Sequence, residues 1–223
     1  MLVLAIETSG RQGSVALCRG HADSFEVAAR AELEGGTYSA RLVPCIGELL
    51  HQAGVSKAHI DGMAVVGGPG SFTGLRVGLS TAKGLCEVLA KPLTAISMLE
   101  ALALTYGDDG EQAITVLDAG RGELYVGEYA ISGQSAELKR EYIAKLSDFL
   151  AELPVLKSRI VTTHPALLES GRTQAVLVKP LQADTIGRIG LRKLLAGEIV
   201  DPATLDANYI RRSDAELFSP PKY

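Results

Sequence analysis

The sequence has no apolar run near the roughly 20 residues that a membrane-spanning helix needs. Its first segment, residues 1–7, has no basic region, and its apolar stretch is too short for a signal peptide. The three cysteines, Cys18, Cys45 and Cys86, are odd in number and far apart, which is typical of buried thiols in a reducing compartment. We therefore expect a cytoplasmic protein with no membrane partner.

Strong positive charge and metal-ligand spacing are also missing. The net charge of −4 argues against strong nucleic-acid binding by this chain alone. Its four histidines show no pair at i and i+4, the spacing that places two metal ligands on one helix face, and no cysteine pair replaces them. We expect no metal site. The histidines are His21, His51, His59 and His164.

The remaining pattern of apolar runs and turn residues describes the same order of elements twice: three strands, then helix, strand, helix, strand and helix. Strands are predicted at 3–6, 14–18, 24–33, 62–66, 93–96, 113–117, 123–130, 137–143, 159–163 and 175–178. Helices are predicted at 39–53, 71–90, 97–106, 147–153, 165–170 and 183–197. Each half opens with a hairpin whose first strand ends on a carboxylate, Glu7 or Asp118, followed by Gly-Arg.

This repeat predicts an α/β protein with two mixed sheets and helices on their faces. Each half is a ribonuclease-H-like unit, and the tandem is the actin-like (ASKHA) architecture, with an N-terminal lobe at 1–106 and a C-terminal lobe at 107–223. One irregular α/β domain is the alternative, but eight elements recur in order, which favours duplication.

A glycine-rich loop, residues 67–70, joins the strand at 62–66 to the helix at 71–90. Ser71 occupies the helix N-cap position. The loop is not a Walker A loop, because no Lys-Ser or Lys-Thr follows its last glycine, and it lacks the glycine spacing of a nucleophile elbow.

The helix at 71–90 carries small residues four apart, Gly74, Gly78 and Ala82, on one face. Because glycine inside a helix costs roughly 1 kcal/mol relative to alanine, two of them indicate close packing against another helix. We predict a partner-binding surface here, although packing on the chain's own sheet is the alternative. The predicted surface residues are Leu42, Ile46, Leu49, Gly74, Leu75, Gly78, Ala82 and Leu85.

Glu7 and Asp118 occupy the positions where actin-like ATPases place carboxylates near Mg²⁺ and phosphates. Thr8 and Ser9 could offer hydroxyl and N–H groups to a phosphate. The alternative is that residues 7–9 only form a hairpin turn. We expect no catalytic residue and keep these four as possible nucleotide contacts.

Five sets of segments have a distinctive order and composition: 2–9 with 14–17, 39–44, 68–78 with 82–84, 118–125, and the closing motif at 208–212. Together they cover most of the chain and resemble the bacterial TsaB (YeaZ) family. One departure is Tyr38, where many members of that family have histidine.

The resemblance implies a non-catalytic subunit that binds and activates a TsaD-like paralogue and works with a TsaE-like ATPase. The product is a threonylcarbamoyl group on the adenosine beside the tRNA anticodon, and contact with tRNA is indirect. It implies docking through N-terminal helices, a possible homodimer of the isolated chain, and no cofactor bound by this chain alone, with ATP or ADP possible at the complex interface. The alternatives are an autonomous actin-like ATPase or small-molecule kinase, a peptidase-like protein, and a self-associating scaffold.

Overall fold

The computed structural model describes residues 1–21, 24–152, 158–169, 175–208 and 210. The strands are β1 (Leu2–Glu7), β2 (Gln12–His21), β3 (Ser24–Glu34), β4 (Gly62–Gly68), β5 (Leu93–Ser97), β6 (Gln112–Gly120), β7 (Glu123–Ser132), β8 (Ser135–Lys145), β9 (Arg159–Thr162) and β10 (Ala175–Leu177). The helices are α1 (Tyr38–Gln52), α2 (Phe72–Leu89), α3 (Met98–Tyr106), α4 (Leu146–Glu152), α5 (Ala166–Glu169) and α6 (Ala183–Leu195).

The strands form two five-stranded sheets with one shared topology. The first has the order β3-β2-β1-β4-β5, and the second has the matching order β8-β7-β6-β9-β10. In each sheet the first strand pairs antiparallel with the second and parallel with the fourth. The predicted duplication of a strand meander followed by crossover strands is therefore confirmed, and the fold is an actin-like α/β fold.

The chain divides into two compact units that differ from the predicted halves. The first comprises 1–101 and 180–207, and the second comprises 102–179 and 208–223. The segment that carries α6 was predicted to lie in the C-terminal lobe, but it belongs to the first unit.

The first sheet is covered on both faces, which explains why every residue of β1 is buried. Side chains alternate across a strand, so Ala5 and Ile6 point to opposite faces. A Cβ added at Gly78 of α2 would meet Ile6, whereas one added at Gly187 of α6 would meet Ala5. Thus α2 packs on one face and α6 on the other, as a continuous apolar strand requires.

Close backbone approach holds α6 on this sheet. A Cβ at Gly187 would collide with Cys18, and one at Gly190 would collide with Ala64. The Lys193 ammonium forms an ion pair with Glu100 at 2.8 Å, with both side chains largely buried. The chain then adds a bridge between Val200 and Leu93.

The second sheet has its own apolar core. Phe149 of α4 is 2% exposed and is the largest side chain in that core. It packs with residues of β6, β7, β9 and α5, namely Ile114, Val116, Leu124, Val126, Ile160 and Leu167.

In the described part of the chain, no helix is both long and apolar enough to cross a bilayer. The closing motif predicted at 208–212 lies outside the described residues except for Asn208 and residue 210. The Asn208 amide donates a hydrogen bond to Glu141 at 2.9 Å within the second unit.

The N-terminus of α6 is capped from a distant strand, which yields a test of its placement. Gln182 makes no side-chain cap, and the Ser14 hydroxyl instead accepts a hydrogen bond from the Ala183 N–H at 2.8 Å. Ser14→Ala should lower the free energy of unfolding by about 1–2 kcal/mol, because it removes a buried cap. Denaturant unfolding measures this, with the exposed Ser80→Ala as control. A Ser14→Ala variant as stable as Ser80→Ala would contradict the cap.

Candidate functional site

The start of α2 has the predicted local structure. Ser71 is its N-cap, and the Ser71 hydroxyl accepts a hydrogen bond from the Gly74 N–H at 3.3 Å. The Ser71 N–H donates to the Ser9 carbonyl at 2.7 Å, which ties the helix start to the turn after β1. The glycine-rich loop therefore places the start of α2 next to the end of β1.

The small-residue face of α2 lies against this same turn. A Cβ at Gly74 would collide with the Thr8 carbonyl oxygen, and one at Gly78 would collide with the Thr8 hydroxyl. Both positions therefore need glycine so that α2 can lie close to the turn after β1. The free-energy cost of glycine inside a helix had indicated such a requirement. The approaching segment is the chain's own strand end, however, and not a partner helix.

These residues therefore do not form an exposed surface of the first unit, and their role in partner binding stays a prediction. Leu85 is half-buried, and the other seven are buried inside the first unit: Leu42, Ile46, Leu49, Gly74, Leu75, Gly78 and Ala82. The physical reason is that α1 and α2 turn this apolar face towards the sheet. The alternative, packing on the chain's own sheet, is what the structure has.

The outward faces of the two helices carry a different set of apolar and small residues. On α1, Val43 is 60% exposed and a Cβ at Gly47 would meet no atom. On α2, Val88 is 76% exposed and Gly84 has the same open space. Sequence reasoning missed this face because it selected the residues with the strongest periodicity, which are those that build the core.

An aromatic residue lies in the first turn of α2, about 160° around the helix axis from Val88. Phe72 is 37% exposed, and the guanidinium of Arg76 stacks on its ring at 3.8 Å from the centroid. Stacking pre-orders both side chains at the surface.

The turn after β1 is buried and internally bonded. Oε1 of Glu7 accepts hydrogen bonds from the Ser9 N–H at 2.6 Å and from the Ser9 hydroxyl at 2.5 Å. The Thr8 hydroxyl donates to the Gly74 carbonyl at 2.8 Å. The two hydroxyl groups that were candidates for phosphate binding are thus engaged inside the chain.

Glu7 is only 2% exposed, and this burial changes the pKa of its carboxyl group. Loss of solvation raises the pKa of its carboxyl group above the ordinary value, and hydrogen bonds from Ser9 and then from the Gly10 N–H act in the opposite direction.

Tyr38 acquires a structural role from the same turn. Its hydroxyl donates to the Gly10 carbonyl at 2.9 Å, and its ring packs against Gly13, where a Cβ would lie 2.8 Å from Cε1. Burial, and secondarily the charge of Glu7, raises the pKa of Tyr38 to about 12. The first residue of α1 therefore holds the turn from one side while α2 holds it from the other.

Asp118 lies in the second unit at the matching hairpin. Its carboxylate accepts a hydrogen bond from the Gly120 N–H at 2.7 Å in an exposed turn. Gly120, Arg121 and Gly122 all have positive φ, so this turn has a different backbone course from the first. The role of Asp118 as a nucleotide contact stays a prediction.

Among the described residues, no group of three His, Cys, Asp or Glu side chains is arranged to hold a metal ion. Lys83 of α2 donates to the Leu205 carbonyl at 2.8 Å, a contact that joins α2 to the segment after α6. No sequence pattern signalled this bond, because its partner is a backbone carbonyl 122 residues away.

Two matched sheets with a strand-end turn held between helices define a duplicated actin-like protein. The family model of TsaD, tRNA N6-adenosine threonylcarbamoyltransferase, matches residues 32–187. The chain is 30% identical over 154 residues to the tRNA threonylcarbamoyladenosine biosynthesis protein TsaB of Bacillus subtilis, covering 69% of this chain and 66% of that protein. It is 35% identical over 128 residues to TsaB of Haemophilus influenzae, covering 56% and 52%.

A solved structure, YeaZ from Pseudomonas aeruginosa, matches with a TM-score of 0.74 and 24% identity, covering 93% of this chain and 99% of that one. The chain belongs to the TsaB (YeaZ) family, within the wider family that the transferase model describes. It spans 66% and 52% of the two relatives' own lengths.

The two kinds of glycine on α2 give a matched stability test. Gly74→Ala should destabilise the fold by about 1–3 kcal/mol or more, because the added methyl group meets the Thr8 backbone. Gly84→Ala should stabilise it by up to about 1 kcal/mol, because its Cβ enters open space and alanine is the better helix former. Denaturant unfolding of both variants checks the inward and outward assignment. Equal effects, or the reverse order, would contradict it.

Proposed function

We propose that this chain is a non-catalytic subunit of tRNA threonylcarbamoyladenosine biosynthesis. It binds and activates a TsaD-like paralogue, and with a TsaE-like ATPase it supports threonylcarbamoyl transfer to the adenosine beside the tRNA anticodon. The names of its relatives and the family-model match support the pathway. The accessory role is supported by Glu7, which is engaged within its own turn instead of facing a substrate.

The observation that carries the proposal is the outward face of α1 and α2, defined by Val43, Gly47, Gly84 and Val88. On each helix an exposed valine lies four residues from a glycine whose Cβ position is open, so side chains protrude little there. Small residues at these positions let the backbone of a partner helix lie close to α1 and α2. Exposed apolar residues beside them are typical of protein interaction sites.

Phe72 and Arg76, in the first turns of α2, offer a separate contact point of the kind that dominates interface energies. Aromatic and arginine side chains are enriched among the residues that cost most when truncated. Their stacking means that less side-chain freedom is lost on docking.

The mechanism we infer is a population shift. Binding to the outward face favours the active conformation of the TsaD-like partner, so the chain acts through differential affinity for two states. ATP or ADP enters at the complex interface, and tRNA is contacted indirectly. The isolated chain uses the same face to form a homodimer when no partner is present.

Charge substitution on the outward face tests this function. Val43→Glu and Val88→Glu should each weaken binding to the TsaD-like partner by about tenfold or more, because docking would bury an unpaired carboxylate. Both should also lower tRNA modification in a reconstituted reaction. Calorimetry with the purified partner measures the affinity.

Ile199→Glu is the matched control, because Ile199 is also 60% exposed and belongs to the same unit but to neither α1 nor α2. Retention of wild-type affinity by Val43→Glu and Val88→Glu would refute the interface. Modification that proceeds at the same rate without this chain would refute the function.

A further inference from the structure

The turn at Glu7–Gly10 has the features of a small anion site. The N–H groups of Ser9 and Gly10 and the hydroxyl of Ser9 all act on one carboxyl group. Successive backbone N–H groups that converge in a turn form a concavity that binds anions. Here the group in the concavity is the side chain of Glu7, from the strand that leads into the turn.

The surroundings hold this concavity in shape from outside. Tyr38 donates to the Gly10 carbonyl at 2.9 Å, and the Ser71 N–H donates to the Ser9 carbonyl at 2.7 Å. A Cβ at Gly70 would collide with Ser9. The turn is therefore fixed by contacts that do not involve the Glu7 carboxyl group, and removing that group should leave the donors in place.

A nucleotide phosphate does not fit this turn as the chain builds it. The Ser9 donors face Glu7, and the Thr8 hydroxyl is committed to the Gly74 carbonyl. A phosphate would have to displace a carboxyl group that is 2% exposed, and the two acidic groups would repel each other.

We propose that the Glu7 side chain is an internal ligand that occupies an oxyanion-binding turn and closes it to nucleotide phosphate. The class of external ligand that matches the vacated turn is a small oxyanion, either a carboxylate or a phosphate. Removing the Glu7 carboxyl group would convert the closed turn into a binding site for such an anion.

Chemical rescue tests the proposal on the full-length chain. Glu7→Ala should lower the Tm, since it leaves buried donors without an acceptor. Sodium formate should raise the Tm of Glu7→Ala in a saturable, concentration-dependent manner beyond sodium chloride at equal ionic strength, because a ligand that binds only the folded state stabilises it. Inorganic phosphate in a parallel series shows whether the turn also accepts a tetrahedral anion.

Two controls separate rescue from a general salt effect. Glu7→Gln keeps an acceptor oxygen and should need no rescue. Ser14→Ala also deletes a buried polar group in the same unit but leaves no converging N–H pair, so formate should act on it as on the wild type. The proposal is supported if formate raises the Tm of Glu7→Ala but has no such effect on the two control variants, whether or not phosphate also acts on Glu7→Ala. No rescue by either anion overturns it.

A measurement on the wild-type protein keeps the proposal testable if Glu7→Ala does not fold. The amide resonances of Ser9 and Gly10 should not shift when inorganic phosphate or ADP is titrated into the wild-type chain. A saturable shift of both resonances would show that the turn takes an external phosphate, and it would overturn the proposal whatever the fate of the variant.

Discussion

The backbone at Thr8 and Ser9 lies directly against the first turns of α2, and the outer layer of the first unit depends on that approach. Glycines at positions 70, 74 and 78 make room for it. Hydrogen bonds from Thr8 to the Gly74 carbonyl and from the Ser71 N–H to the Ser9 carbonyl then fix the distance. A side chain at any of these glycines would push α2 away from β1.

This contact decides which face of each helix remains available. Because α2 turns Gly74 and Gly78 inwards, Gly84 and Val88 are left on its outer side. Tyr38 ties the first turn of α1 to the same strand-end turn, so the two helices share one support. The proposed docking surface is therefore set by residues that a partner would never touch.

The sequence predicts much of this fold, because periodicity and turn chemistry are local. The order of elements, the Ser71 cap and the repeated meander all follow from neighbouring residues. The direction of the glycine stripe does not, since the atoms that crowd Gly74 belong to Thr8. The pattern correctly indicates close approach but does not identify the approaching segment. The same limit explains α6, whose cap comes from Ser14, 169 residues away, and Tyr38, whose role depends on the Gly10 carbonyl.

Native-state hydrogen exchange of the Ser9 and Ser71 amides tests most directly whether this turn is a locked support. If it is, both amides should exchange as slowly as those of β1, because the opening that exposes them is global unfolding. If the turn is a mobile ligand loop, both should exchange orders of magnitude faster than the β1 amides, at rates like those of the α1 terminus near Gly54. That result would contradict the account.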